Sequence, residues 1–93
     1  MGLDDLDIVF RLERQFAVKL TLADLGKKFL QRTPPDLSAG ELHDWVVAQC
    51  VTEGKSVPHS SWRRVKEVLL DAIAAPPSTA RRDSLLRADL GMS

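Results

Sequence analysis

Cysteine occurs once in the 93 residues, at Cys50, and tyrosine not at all. A single thiol permits no intramolecular disulfide, so the fold must stand on its apolar core, and such sparing use of cysteine points to a reducing compartment. Excess charge of either sign is also missing, because thirteen basic and thirteen acidic side chains cancel. No net field therefore draws the chain to nucleic acid or to an anionic membrane surface. No apolar run approaches membrane-spanning length and no signal peptide is visible. Behind Met1-Gly2, Leu6 stands where a myristoylation signal needs Ser or Thr. A cytoplasmic protein is the expectation. Internal repeats and low-complexity tracts are lacking too. No stretch alternates apolar with polar residues, and the β-branched residues fall within helical periods, so no strand is expected.

What the chain does have is a hydrophobic fraction of 44%. That is enough for one domain with one core, at the small end of what folds without staples. Asp4, Asp5 and Asp7 lie in the opening turn of a first helix, where free backbone N–H groups and the helix dipole favour negative charge. Asp4 or Asp5 is the expected cap. Leu6, Val9, Phe10, Phe16, Ala17 and Leu20 recur at helical steps, Ile8 and Leu12 widen that stripe, and the helix is expected to end near Lys19-Leu20. Asp7 and Arg11 are spaced for an ion pair on its solvated face.

Thr21 can cap a second, shorter helix with Leu22, Leu25, Phe29 and Leu30 on its apolar side. Gly26 inside it costs about 1 kcal/mol relative to alanine, and Pro34-Pro35 should end it. Ser38-Ala39-Gly40-Glu41 is a capping box, and Leu37 and Leu42 are placed for a hydrophobic staple. The third helix then presents Leu42, Trp45, Val46, Gln49 and Cys50, and Glu53-Gly54 should close it. Residues 54–61 lack periodicity, contain Pro58 and read as a linker. Ser60 or Ser61 can cap a fourth helix bearing Trp62, Val65, Leu69, Ala72 and Ile73, with Val68 and Leu70 beside them, and Pro76-Pro77 should end it. Residues 78–93 read as loop, with one helical turn expected around Asp83 to Arg87.

Little of this carries chemistry. His43 and Cys50 share a side of the third helix, but Cys50 belongs to an apolar stripe, His59 falls on the linker, and no zinc-type spacing occurs. Surface histidines and a buried cysteine are expected, with no catalytic residue and no metal. Trp45 and Trp62 sit at core spacing. Arg63, Arg64 and Lys66, with Arg81, Arg82 and Arg87, make the basic clusters, and Asp71, Asp83 and Asp89 dilute them into solvated charge.

Leu3-Asp4, the apolar pairs behind them and Leu12-Glu13-Arg14-Gln15-Phe16 resemble the second helix of acyl carrier proteins, with Gly2 where that family has its phosphopantetheine-bearing serine. Arg64 to Leu69 resembles the family's first helix, and Asp83-Ser84-Leu85-Leu86 its long loop. Asp89-Leu90-Gly91 resembles the Asp-Leu-Gly that precedes the serine motif. The order is reversed, so the chain looks like a circularly permuted acyl carrier protein cut at the serine motif.

The resemblance implies one domain over residues 1–93, an all-α four-helix bundle with permuted connectivity. Residues 1–53 would supply family helices two to four, 54–61 the joint between the old termini, and 62–93 family helix one and its loop. It implies a non-enzymatic, degenerate carrier acting as a protein interaction module without cofactor, its partner a fatty-acid or polyketide type enzyme. An active acyl or peptidyl carrier bearing phosphopantetheine on Ser93 is the alternative, since permutation would bring Ser93 beside Gly2. Asp89-Leu90-Gly91 should then sit against the start of the first helix, within a monomer or a domain-swapped dimer.

Overall fold

The computed structural model describes residues 3–73 and 80–91. Four helices, α1 (Leu3–Phe16), α2 (Leu22–Phe29), α3 (Ala39–Thr52) and α4 (Ser61–Ile73), form a small all-α bundle. Among the described residues there is no strand, only an isolated antiparallel bridge between Ser38 and Leu85. No helix among them is long and apolar enough to cross a membrane.

The apolar face of α1 is rotated from the expected one. Ile8, Val9, Leu12 and Phe16 are buried together with the carboxylate-bearing Asp5, whereas Leu6 and Phe10 are 39% and 57% exposed. Positions 5, 8, 9, 12 and 16 follow the three- and four-residue steps of one helix face, so Asp5 belongs to the buried side and does not cap the helix. Arg87 reaches it there, as described below. The helix also stops at Phe16, short of Lys19-Leu20, because Ala17 adopts a left-handed conformation at φ 55°. The turn lets Val18 and Leu20 reach the core. Side chains replace the helical bonds that are lost: Lys19 N donates to Glu53 Oε2 at 2.7 Å and Leu20 N to Glu13 Oε2 at 3.3 Å. Lys55 Nζ adds a bond to the Ala17 carbonyl.

Thr21 caps α2 as expected, its hydroxyl accepting from Asp24 N at 3.2 Å. The helix ends at Phe29, before the prolines are reached, and Leu30 is 70% exposed instead of joining the apolar side. The Phe29 carbonyl takes a bond from Asp36 N at 3.0 Å, which folds the chain back across the helix end.

In α3 both halves of the capping box form: Glu41 N donates to Ser38 Oγ at 3.1 Å and Ser38 N to Glu41 Oε1 at 3.2 Å. Leu37 and Leu42 are fully buried in one core cluster. At the other end Gly54, at φ 70°, donates to Val51 O at 3.0 Å and Lys55 N to Cys50 O at 2.9 Å, the paired bonds of a Schellman stop. Ser61 is the first residue of α4, and the Ser60 carbonyl accepts from Arg64 N at 2.9 Å, so Ser60 takes the capping position of the two that were open.

α1 packs most extensively on α4, α3 also lies on α4, and α2 rests against α1. The centre is Ile8, Leu12, Leu42, Val46, Val65 and Leu69, each fully buried. Trp45 and Trp62 are partly buried against it. Pro76-Pro77 lie outside the described residues. Residues 80–91 form no helix; a turn closed by Ser84 N donating to Arg81 O at 3.1 Å is followed by a second in which Asp89 N and Leu90 N donate to Leu85 O at 2.9 and 3.0 Å, together spanning the expected Asp83 to Arg87 and running beyond it. Ser38→Ala removes the acceptor for Glu41 N at the best-defined cap of the bundle; urea denaturation should register a loss of about 1 kcal/mol.

Candidate functional site

The polar structure of the molecule concentrates where residues 80–91 cross the N-terminal end of α3. A helix start leaves backbone N–H groups free, and here two of them are used by the crossing chain. Ala39 N donates to Ser84 O at 2.9 Å and Gly40 N to Arg82 O at 2.7 Å, while Leu86 N donates back to Leu37 O at 2.8 Å. The approach is close enough to require glycine, since a Cβ on Gly40 would lie 2.9 Å from the Arg82 carbonyl oxygen.

Asp36 anchors the next part of the crossing. It is buried, and its Oδ1 accepts from Leu37 N at 2.8 Å and Arg87 N at 3.0 Å, while Oδ2 accepts from Ala88 N at 3.0 Å. Burial by itself pushes this carboxyl up, but the three backbone donors and the Arg87 charge outweigh it and hold it below its ordinary value. The Arg87 side chain then reaches into the bundle. Its Nη2 lies 3.2 Å from Oδ2 of the fully buried Asp5, and its guanidinium carbon stands 4.4 Å from the centroid of the Phe29 ring. One residue thus touches the first turn of α1, the last turn of α2 and, through its backbone, the loop before α3. Arg82 is seated similarly, 4.7 Å over the Trp62 ring of α4.

His43 links α3 to α4. Its Nε2 is 2.8 Å from Ser61 Oγ, its Nδ1 is 3.2 Å from Asp44 Oδ1, and its ring meets Trp62 edge-on at 5.9 Å. The order Ser, His, Asp is that of a nucleophilic triad. The Asp44 side chain, however, is 78% exposed. A solvated carboxylate orients a histidine weakly, so the contact serves as an inter-helix tie.

The expected site residues fall in different places. Gly2 and Ser93 lie outside the described residues, as do the side chains of Leu3 and Asp4, whose backbone opens α1. Asp89 closes the turn, its Oδ2 accepting from Leu85 N at 2.7 Å; Leu90 packs partly on the core; Gly91 takes φ 72°. Cys50 is buried among apolar side chains, and burial, with Glu53 nearby, pushes its thiol up and away from thiolate chemistry. His59 is exposed on the α3–α4 connection. No three of the described His, Cys, Asp and Glu residues converge as metal ligands. The arginine clusters are dispersed: Arg63 pairs with Glu67 at 3.4 Å, Arg64 Nε donates to Ser60 Oγ, and Arg82 and Arg87 cover rings.

Asp36, Asp5 and Arg87 are the residues that reading the sequence missed as a unit. Asp36 between Pro35 and Leu37 carried a local signal, since Asp after proline readily hydrogen-bonds the backbone that follows it. Two cavities flank the unit. A polar one of about 630 Å³ opens over the start of α3 between Arg32, Glu41, Asp44, Arg82 and Asp89. An apolar groove of about 400 Å³ runs along α2 between Ala23, Gly26, Phe29, Leu30 and Pro35, with Lys27 and Arg87 at its rim. Comparison with protein-family models, with curated proteins and with solved structures finds no match to this chain.

Asp36→Ala leaves the buried Leu37 N–H and the part-buried N–H groups of Arg87 and Ala88 without their acceptor and should cost about 1–3 kcal/mol in chemical denaturation. Glu41, bonded to Arg32 and the Ser38 backbone, is also held below its ordinary value. Both carboxylates have folded values below their unfolded ones. Their contribution is therefore complete above the unfolded value near pH 4 and is lost as pH falls through the folded values. Acid titration of stability should show that loss in the wild type and a shallower slope in Asp36→Asn. Gly40→Ala should lose about 1–3 kcal/mol by calorimetry as the Arg82 carbonyl is forced away.

Proposed function

We propose that this chain is a non-enzymatic, acyl-carrier-protein-like protein with rotated helix order, which has lost phosphopantetheine attachment and acts in the cytoplasm as a protein interaction module. The observation that carries the reading is the Arg87–Asp5 ion pair at 3.2 Å. It ties the turn that ends in Asp89-Leu90-Gly91 to the opening turn of the helix begun by Leu3-Asp4, the neighbourhood that a carrier cut at its serine motif requires. Gly2 offers no hydroxyl for a phosphodiester. The helices that would flank a prosthetic arm remain packed on one core, so the surface a partner would use outlives the chemistry. Under this reading the partner is an enzyme of the fatty-acid or polyketide type.

Co-expression with a broad-specificity phosphopantetheinyl transferase, followed by intact-mass measurement, tests the loss of attachment. The expected product is the unmodified chain. An adduct mapped to Ser93 would make the protein an active carrier and overturn the reading.

A further inference from the structure

We propose that the groove along α2 receives an acidic, apolar segment of a partner protein, an inference that rests on the interaction-module reading and supplies the partner's chemistry. Its walls are apolar: Ala23, Leu30 and Pro35 stand around the Phe29 ring, and Gly26 adds no side chain to the floor. Glycine inside a helix costs about 1 kcal/mol, and at this position it keeps the groove open. Among the described residues, both charged residues lining the groove, Lys27 and Arg87, are cations. The polar cavity over α3 and the cleft between α1 and α4 each contain carboxylates that offset their arginines. Arg87 is balanced in part by Asp5, so the positive character of the rim over the apolar floor rests mainly on Lys27.

A third of the Arg87 side chain remains exposed despite the Asp5 contact. A carboxylate arriving at the rim would meet a guanidinium already held in position by Phe29 and Asp5. The occupant is a protein segment because Leu30, 70% exposed, carries the apolar surface out of the cavity. A small ligand is mostly enclosed by its pocket, whereas a segment with a Leu or Phe anchor and a neighbouring Glu can cover both the floor and the open Leu30 edge.

Three fluorescein-labelled peptides test this, built of Leu-Phe pairs alternating with Glu-Glu, Lys-Lys or Ser-Ser pairs, and titrated with the full chain by anisotropy and by amide NMR shifts. The Glu peptide should bind at least about tenfold more tightly than the Lys peptide and weaken as salt rises. Shifts should concentrate at Ala23, Gly26, Lys27 and Leu30. Lys27→Glu and Leu30→Ser, both at exposed positions, should each weaken it severalfold while the circular dichroism spectrum is unchanged. Equal binding of the Lys peptide, shifts confined to the Leu6–Phe10 face of α1, or no binding at all would overturn the proposal. So would sodium decanoate shifting these amides where the peptide does not, or self-association of the chain protecting them. A Ser93 adduct in the mass experiment would instead overturn the interaction-module reading, with peptide binding scored separately.

Discussion

Asp36 has left water with its charge, and three backbone N–H groups stand where solvent stood. A buried carboxylate without donors would be costly, so the loop before α3 and the turn at Arg87–Ala88 are obliged to stay together. That obligation organises one end of the molecule. It fixes where residues 80–91 cross α3, brings the Arg82 carbonyl against Gly40 and aims the Arg87 side chain at α1 and α2. The crossing adds no helix, yet it buries Leu86 and Ala80 and closes the bundle over the starts of α1 and α3.

The charged residues explain how a chain with as many acids as bases can be so specifically arranged. Removing the Arg87–Asp5 pair from water costs nearly as much as its attraction returns, so such a contact orients more than it stabilises. Its effect is geometric: an otherwise apolar face of α1 carries one acid, and that acid meets one arginine 82 residues away. Arg82 and Arg87 set their guanidinium carbons over the rings of Trp62 and Phe29, which covers aromatic surface and leaves part of the charge at the cavities. Asp7–Arg11 and Arg63–Glu67, by contrast, are exposed pairs one helical turn apart and contribute only tenths of a kcal/mol.

The proposed interaction module and the groove along α2 draw on the same end of the bundle. Arg87 belongs to both, joining the turn before Asp89-Leu90-Gly91 to α1 on one side and forming the cationic rim over Phe29 on the other. A partner seated on α2 would therefore contact the residue that holds the crossing in place. In the proposed reading this makes the anchoring of the crossing and the binding surface one structure. The triad-like His43, Asp44 and Ser61 lie apart from it as a tie between α3 and α4.

Four helices, their approximate limits and most of the core were legible in the residues, because the interactions that set them are local. The Ser38–Glu41 box, the Thr21 cap and the Gly54 stop each involve partners within five residues, and the stripes of α3 and α4 repeat every turn. What local spacing could not supply was the identity of partners far along the chain. Asp5 looked like a cap because acids favour helix starts; it is instead buried, with Arg87 bonded to it, and Leu6 and Phe10 turn outward. α1 and α2 end early because Glu53 and Asp36 offer their backbones bonds from elsewhere in the chain. The sequence determined the helices through bonds that close within a turn. The tertiary structure decided which face of α1 is buried, where two helices stop and where the last described residues lie, since those depend on Arg87 meeting Asp5, on Glu53 accepting from Lys19 N, on Asp36 N bonding the Phe29 carbonyl and on the Asp36 carboxylate holding Arg87 N and Ala88 N.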